Sequence, residues 1–145
     1  MQIEQSRSLV AALQARPLLN SLDALYPGFD HWYLNTVVPG VVSGRDVLLL
    51  AREGRRLVGV ALGKRSPQET KLRCVRVAPD HQNTGLGLRL IDRMLEALEC
   101  PKPHCTVAEE MLHAYSRAFV RRYGFELSDV AKGTYRAGKL EYCFN

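Results

Sequence analysis

The stretch Val75-Arg76-Val77-Ala78-Pro79-Asp80-His81-Gln82-Asn83-Thr84-Gly85-Leu86-Gly87 decides how this chain folds. The run from Thr70 to Val77 is rich in β-branched and apolar residues, which predicts a strand. It enters a turn holding two glycines separated by one residue. From Gly85 onward the apolar period changes, with Leu86, Leu90, Ile91, Met94, Leu95 and Leu98 recurring at helical spacing. Glycine lets a backbone turn tightly and bring its N–H groups against a ligand with no Cβ in the way. The helix that follows adds the positive end of its dipole, so the element is suited to phosphate oxygens. Two phosphate motifs are excluded. A dinucleotide fold has a third glycine where Leu90 stands, and a P-loop ends in Gly-Lys-Ser/Thr where Gly87 is followed by Leu88-Arg89.

Upstream, Arg45 to Arg52 and Arg55 to Lys64 read as strands joined by the hairpin chemistry of Glu53-Gly54. Before them, residues 7–15, 18–26 and 29–38 read as helices. Pro17 sits where the second helix can start, and Pro39-Gly40 is expected to end the third. Downstream, Arg89/Asp92 and Arg93/Glu96 offer i,i+3 charge pairs on the polar side of the helix, and Pro101 and Pro103 stop it. His104 to Ala108 is then a strand. Glu109 to Tyr123 is an amphipathic helix with acids in its first turn and Gly124 as C-cap, and strands near 125–130 and 134–144 close the chain. The order, helices followed by β-β-β-α-β-α-β-β, predicts an α/β (α+β) domain: a mixed, twisted central sheet flanked by helices.

At 145 residues the chain is expected to form one domain, 1–145; with 46% hydrophobic and 24% charged residues it has the balance of a soluble globule. No apolar run approaches the roughly 18 residues of a membrane span, and residues 1–30 lack signal-peptide order, so a cytoplasmic protein is expected. Cys100, His104 and Cys105 lack both the CxxC spacing and a second ligand pair, so no metal site is expected and the four cysteines read as reduced thiols. The net charge of +5 is uneven. Residues 51–100 hold ten basic side chains against six acids, a net of +4, while residues 1–50 carry −1 and residues 101–145 carry +2. Such a bias admits nucleic acid, a membrane surface or a small polyanion as partner.

Gln82-x-x-Gly85-x-Gly87 resembles the Arg/Gln-x-x-Gly-x-Gly/Ala signature of the GNAT superfamily, the acyl-CoA-dependent N-acyltransferases. The strand ending in Val75-Arg76-Val77-Ala78-Pro79 precedes it at the family's distance, and His104 to Gly124-Phe125 resembles the family's second half. The resemblance covers residues 45–145 as an acyl-CoA-binding core and leaves 1–44 as a variable, helical, substrate-side region. It implies that acetyl-CoA lays its pyrophosphate on the N–H groups of Gln82, Asn83, Thr84, Gly85, Leu86 and Gly87. It further implies that the pantetheine arm pairs with the backbone of Val75, Arg76 and Val77, where a strand N–H polarises the thioester carbonyl. Arg73, Arg76 and Arg89 are then candidates for charge near the phosphates, and His113 stands where the family often has a cofactor-contacting Asn.

For the proton acceptor the resemblance points to Glu69, which would share a strand face with Lys71; Glu109 and Glu110 are rivals that also read as helix N-terminal acids. The family's tyrosine acid is replaced by Val120. Tyr115 is the candidate in its place, and Tyr123 is expected in the core. Trp32 and Tyr33 are candidates to line an acceptor pocket. The implied activity is an acetyl-CoA-dependent N-acetyltransferase in which a primary amine attacks the thioester directly, in a monomer or homodimer. The alternative is a catalytically weak acyl-CoA sensor that regulates a partner, a reading that Val120 keeps open. A nucleic-acid-associated role is opposed by an aromatic content of only 8% and the lack of an RNA-binding motif with stacking aromatics.

Overall fold

The hairpin predicted around Glu53-Gly54 is the centre of a four-stranded antiparallel sheet. In the computed structural model, which describes residues 1–145, β2 (Asp46–Glu53) and β3 (Arg56–Arg65) are flanked by β1 (Gln2–Ser6) and β4 (Thr70–Val77), in the order β1-β2-β3-β4. β1 has no counterpart among the sequence expectations. Only Ile3 in it is buried, and it forms because the free edge of β2 offers it partners from Arg52 to Leu48. A second antiparallel sheet has the order β5-β7-β6, built from β5 (Cys105–Ala108), β6 (Leu127–Lys132) and β7 (Leu140–Phe144). The strand expected over 134–144 is thus corrected to 140–144. Residues 133–139 form a turn closed by Gly133 N–H on the Lys139 carbonyl (2.9 Å), and Arg136 grips Glu110 from within it.

Alternation along β2 and β3 sends side chains to two cores. Val47, Leu49, Ala51 and Ala61 face the helix α5 (Leu86–Leu98), while Leu48, Leu50, Val60 and Leu62 face the N-terminal helices; Val58 joins the α5 side as the extra residue of a bulge opposite Ala51 and Arg52. Strand β4 breaks this alternation. Cys74 opposes Leu62 and Leu72 opposes Gly63, so Arg73 is an extra residue in a β-bulge. The bulge is what allows Leu72 and Val75, three positions apart, to enter the same core.

The N-terminal segment is more irregular than expected. α1 (Leu9–Gln14) is capped by Ser8, whose hydroxyl accepts from Ala11 N–H; α2 (Arg16–Leu19) carries Pro17 in its first turn, and Asn20–Ala24 continues as a 3₁₀ turn. α3 (Phe29–Trp32) passes through a π turn at Tyr33–Val37 into α4 (Val38–Ser43), so Pro39-Gly40 does not end the helix. In the wide turn Val38 N–H reaches the Tyr33 carbonyl, five residues back, and Pro39, which lacks an N–H, falls in the first turn of the next piece. The helix expected over 109–123 is also composite: a 3₁₀ turn at Glu109–Met111, α6 (Leu112–Ser116) and a π turn at Arg117–Arg122. Gly124 follows it at φ +67°, with Phe125 N–H on the Phe119 carbonyl, as a C-cap should. Of the two charge pairs expected on α5, Arg93–Glu96 forms at 4.0 Å. Arg89–Asp92 does not, because Arg122 (2.9 Å) and the Tyr123 hydroxyl (2.7 Å) take the Asp92 carboxylate.

One close approach fixes α4 on the sheet. The carboxylate of Asp46 is fully buried, and a Cβ placed on Gly40 would lie 1.7 Å from its Oδ2. Gly40→Ala must therefore push α4 off the sheet or displace a buried ion pair. We expect it to lower unfolding free energy by about 1–3 kcal/mol, the range for overpacking. Urea titration should show a lower midpoint at unchanged slope.

Candidate active site

The turn after β4 presents backbone donors in series. Asn83 and Gly85 both have left-handed backbones, at φ +62° and +85°. The Gln82 side-chain amide donates to the Val77 carbonyl (3.3 Å), tying the turn to the end of β4. Thr84 Oγ1 donates to the His81 carbonyl. None of the N–H groups from Asn83 to Leu88 has a hydrogen-bond partner in the protein; Arg89 N–H, on the Gly85 carbonyl, is the first that does. A helix start leaves four such donors. Here the loop extends the series to six, next to the positive end of α5.

Beside this turn the two sheets part. Leu72 N–H donates to the His104 carbonyl and His104 N–H to the Thr70 carbonyl, both at 3.0 Å, in the only link between β4 and β5. Beyond Leu72, β4 is paired on one side only. Ala78 N–H donates to Val58 across the β3 side, so by alternation Cys74 and Arg76 also face β3, while Val75 and Val77 turn their N–H and C=O groups to the open edge. The Tyr115 hydroxyl enters this opening and donates to the Val75 carbonyl at 3.2 Å; burial raises its pKa.

Two cavities flank the parting strands. One, of about 60 Å³, lies between β4 and β5 against Tyr115, Phe119 and Met111. The other, of about 440 Å³, is walled by β4, the start of β5, Tyr135 and the segment from Tyr26 to Trp32. Leu22, Tyr26, Arg73, Cys74 and Thr106 line both, so the cavities adjoin there. At this junction the Tyr26 hydroxyl donates to Oε1 of Glu141 at 2.6 Å. The Glu141 residue is 5% exposed, and burial with the adjacent carboxylate pushes the Tyr26 pKa well up.

The sequence candidates separate as follows. Val75, Arg76 and Tyr115 line the smaller cavity, and the run from Gln82 to Gly87 forms the donor-rich turn. Arg76 reaches Ser21, and Arg89 is exposed in the first turn of α5. Arg73 lines both cavities, with its Nε on Asp46 at 2.9 Å and its guanidinium against Trp32. His113 is exposed on α6 and lines neither cavity. Glu69 also lines neither. Lys64 (3.0 Å) and Lys71 (3.3 Å) hold its carboxyl below the ordinary range. Glu110 is bound by Arg136, which lowers it to about 2, and Glu109 accepts from Leu140 N–H. Val120 is exposed. Trp32 lines the larger cavity, whereas Tyr33 is wholly buried with its hydroxyl on the Ala12 carbonyl. Tyr123, expected in the core, packs its ring on Phe125 but keeps its hydroxyl at Asp92.

Tyr26 and Glu141 were not legible as a site, since 115 residues separate them. Arg73 carried a fainter signal. An arginine inside an apolar strand whose flanking Leu72 and Val75 break the period of two is what a bulge looks like in sequence.

The profile of the acetyltransferase (GNAT) domain matches residues 44–127, and the chain belongs to this family. Its fold is shared with a protein assigned to the GNAT family from Desulfovibrio desulfuricans, at 21% identity and a TM-score of 0.76 over 99% of this chain and 96% of that one. Ribosomal-protein-alanine N-acetyltransferase from Brucella melitensis aligns at 16% identity and a TM-score of 0.73, over 99% and 98% of the two chains. The PaiA N-acetyltransferase of Thermoplasma acidophilum, solved with coenzyme A, aligns at 14% and 0.68, again over 99% and 98%. No curated protein matches the chain. No helix is long and apolar enough to cross a membrane.

The turn is braced from outside by an ionic cluster. His81 places Nε2 2.6 Å from Glu53 and Nδ1 3.0 Å from Asp80, and Arg56 also grips Asp80. Both ring nitrogens can donate only in the imidazolium, so Glu53 first and Asp80 second raise the His81 pKa. A raised folded-state value means that the bracing is fully present below the unfolded pKa of about 6.5 and is lost as pH rises through the folded one. His81→Gln should therefore lower the melting temperature at about pH 6, and the gap should close as the pH is raised toward about 9. A gap that does not depend on pH would remove the ionic account.

Proposed function

We propose that the chain is an acetyl-CoA-dependent N-acetyltransferase acting on a primary amine. Residues 45–145 form the acyl-CoA core of one domain, and residues 1–44 contribute the acceptor side. The observation that carries this reading is the run of six unpartnered N–H groups from Asn83 to Leu88, ending at a helix start. Each charge-assisted bond from such a donor to a phosphate oxygen contributes about 1.5–3 kcal/mol. The pantetheine arm takes the open edge of β4, where Val75 and Val77 present backbone groups as they would to an added strand. The thioester then lies where the two cavities adjoin, with a β4 N–H to stabilise the oxyanion.

The amine nitrogen attacks the thioester carbon, the C–S bond breaks and the acetyl group stays on nitrogen. Two protons are moved by side chains: one leaves the ammonium before attack and one is taken up by the CoA thiolate; the surplus proton on the acylated nitrogen then replaces the one given to sulfur, so one proton is released overall. Tyr115, inside the smaller cavity, is placed to supply the second. For the first, the Tyr26–Glu141 pair is better placed than Glu69. Tyr26 lines both cavities and can pass a proton to the buried carboxylate, whereas Glu69 is a weak base between two lysines and orients Lys71 at the rim.

Two measurements test this. Calorimetry should detect acetyl-CoA binding that falls at least about tenfold in Gly85→Trp, which fills the pyrophosphate position. Undiminished affinity in a variant with native circular dichroism would refute the site. Glu141→Gln, which preserves an acceptor for Tyr26, should lower kcat/KM by about a hundredfold or more, while Glu69→Gln changes it only a fewfold. The opposite ranking would return the base to Glu69. Tight acetyl-CoA binding with no CoA release from any amine would favour a sensor.

A further inference from the structure

The larger cavity has a charge pattern that acetyl transfer alone does not require. Three basic side chains, Lys71, Arg73 and His104, line it, and no carboxylate does. The acids that pair with two of these bases are shared. Asp46 accepts from both Arg73 and Arg45, and Glu69 from both Lys71 and Lys64. Each of these two carboxylates thus faces two cations, of which Arg73 and Lys71 reach the cavity wall. Glu141 adds a third anion, but it lies behind Tyr26, whose hydroxyl it holds.

Arg73 is the most specific feature. Its side chain is 14% exposed, its Nε donates to Asp46, and its guanidinium carbon sits 4.9 Å from the centre of the Trp32 ring. Neither Nη atom has a hydrogen-bond partner in the protein. No side-chain nitrogen or oxygen is shut away from solvent without a partner, so the two Nη groups open on the cavity. A guanidinium held in place by an ion pair and a ring, with its fork free, matches a planar carboxylate. Much of the remaining wall is aromatic, from Tyr26, Phe29, Trp32 and Tyr135. At about 30 Å³ per water-sized atom, 440 Å³ holds roughly fifteen non-hydrogen atoms, the size of one amino acid with a large side chain.

We propose that the acceptor is a free amino acid with an aromatic or large apolar side chain. Its carboxylate lies on Arg73 and its α-amine points to Tyr26, where the cavities meet. The excess of positive charge works against polyamines and other polycations. This assignment rests on the acetyl-transfer reading and deepens it.

The test compares phenylalanine, phenylalanine amide, phenethylamine and spermidine as acceptors, following CoA release from acetyl-CoA, and measures N-acetylphenylalanine binding by calorimetry. Phenylalanine should be acetylated at least about tenfold faster than the other three at equal subsaturating concentration. Arg73→Lys, which keeps the charge and loses the fork, should weaken N-acetylphenylalanine at least about tenfold while acetyl-CoA affinity stays within about threefold. The proposal is overturned if phenethylamine or spermidine matches phenylalanine, or if Arg73→Lys binds the product as tightly as the native chain. If acetyl-CoA binds and only amines without a carboxylate release CoA, the acceptor class falls and the transfer reading stands. If acetyl-CoA does not bind the native chain, both fall.

Discussion

Every N–H and C=O of a buried strand needs a partner, and β4 meets that requirement on one side only. Toward β3 it is paired along its length; toward β5 the pairing stops at Leu72 and His104. The rest of the molecule accommodates this half-open strand. Phe119, Met111 and Tyr115 wedge the opening, and the Tyr115 hydroxyl satisfies the Val75 carbonyl that β5 leaves behind. The turn that follows points its donors outward for the same reason that α5 begins there: a helix start cannot satisfy its own first N–H groups. An open strand edge and a row of free donors thus lie end to end. A ligand with an extended amide-bearing arm and a phosphate group completes both at once.

The bulge at Arg73 links the two sides of the sheet. By adding one residue it puts Leu72 and Val75 in the core under α5 and turns Arg73 to the opposite face, against Asp46 and Trp32. Asp46 in turn has room for its carboxylate only because Gly40 carries no side chain. Replacing one partner of such a buried pair leaves the other charge stranded, which costs far more than the pair contributes. The open edge of β4 and the larger cavity therefore share one anchor, and a change in α4 can reach both through it.

What the sequence made legible follows from how local each cause is. The turn from Gln82 to Gly87, strands β2 to β4 and helix α5 are set by neighbouring residues, through glycine geometry and apolar period, and they lie where expected. β1 was invisible because its pairing comes from the edge of β2 rather than from its own pattern. The run past Pro39 depends on a π turn whose wide bond no propensity encodes. Residues 134–139 look like a strand, yet a turn holding Arg136 against Glu110 wins. The turn of free donors was legible because it is one continuous segment. The cavities were not, because Tyr26, Arg73 and Thr106 come together only in the folded chain.

The positive charge of residues 51–100 looks at first like a phosphate site, but its distribution says otherwise. Seven of those ten basic residues are engaged by carboxylates, among them Arg56 by Asp80, Arg65 by Glu99 and Arg73 by Asp46. Only Arg89 remains beside the donor-rich turn with no ion-pair partner. The free donors of the turn are main-chain N–H groups, which any residue except proline carries. Side-chain charge is spent elsewhere, in the ion pairs that hold Arg73 and Lys71 on the wall of the larger cavity. In this chain the free main-chain donors belong to the end of β4 and its turn, while side-chain charge shapes the larger cavity around Arg73.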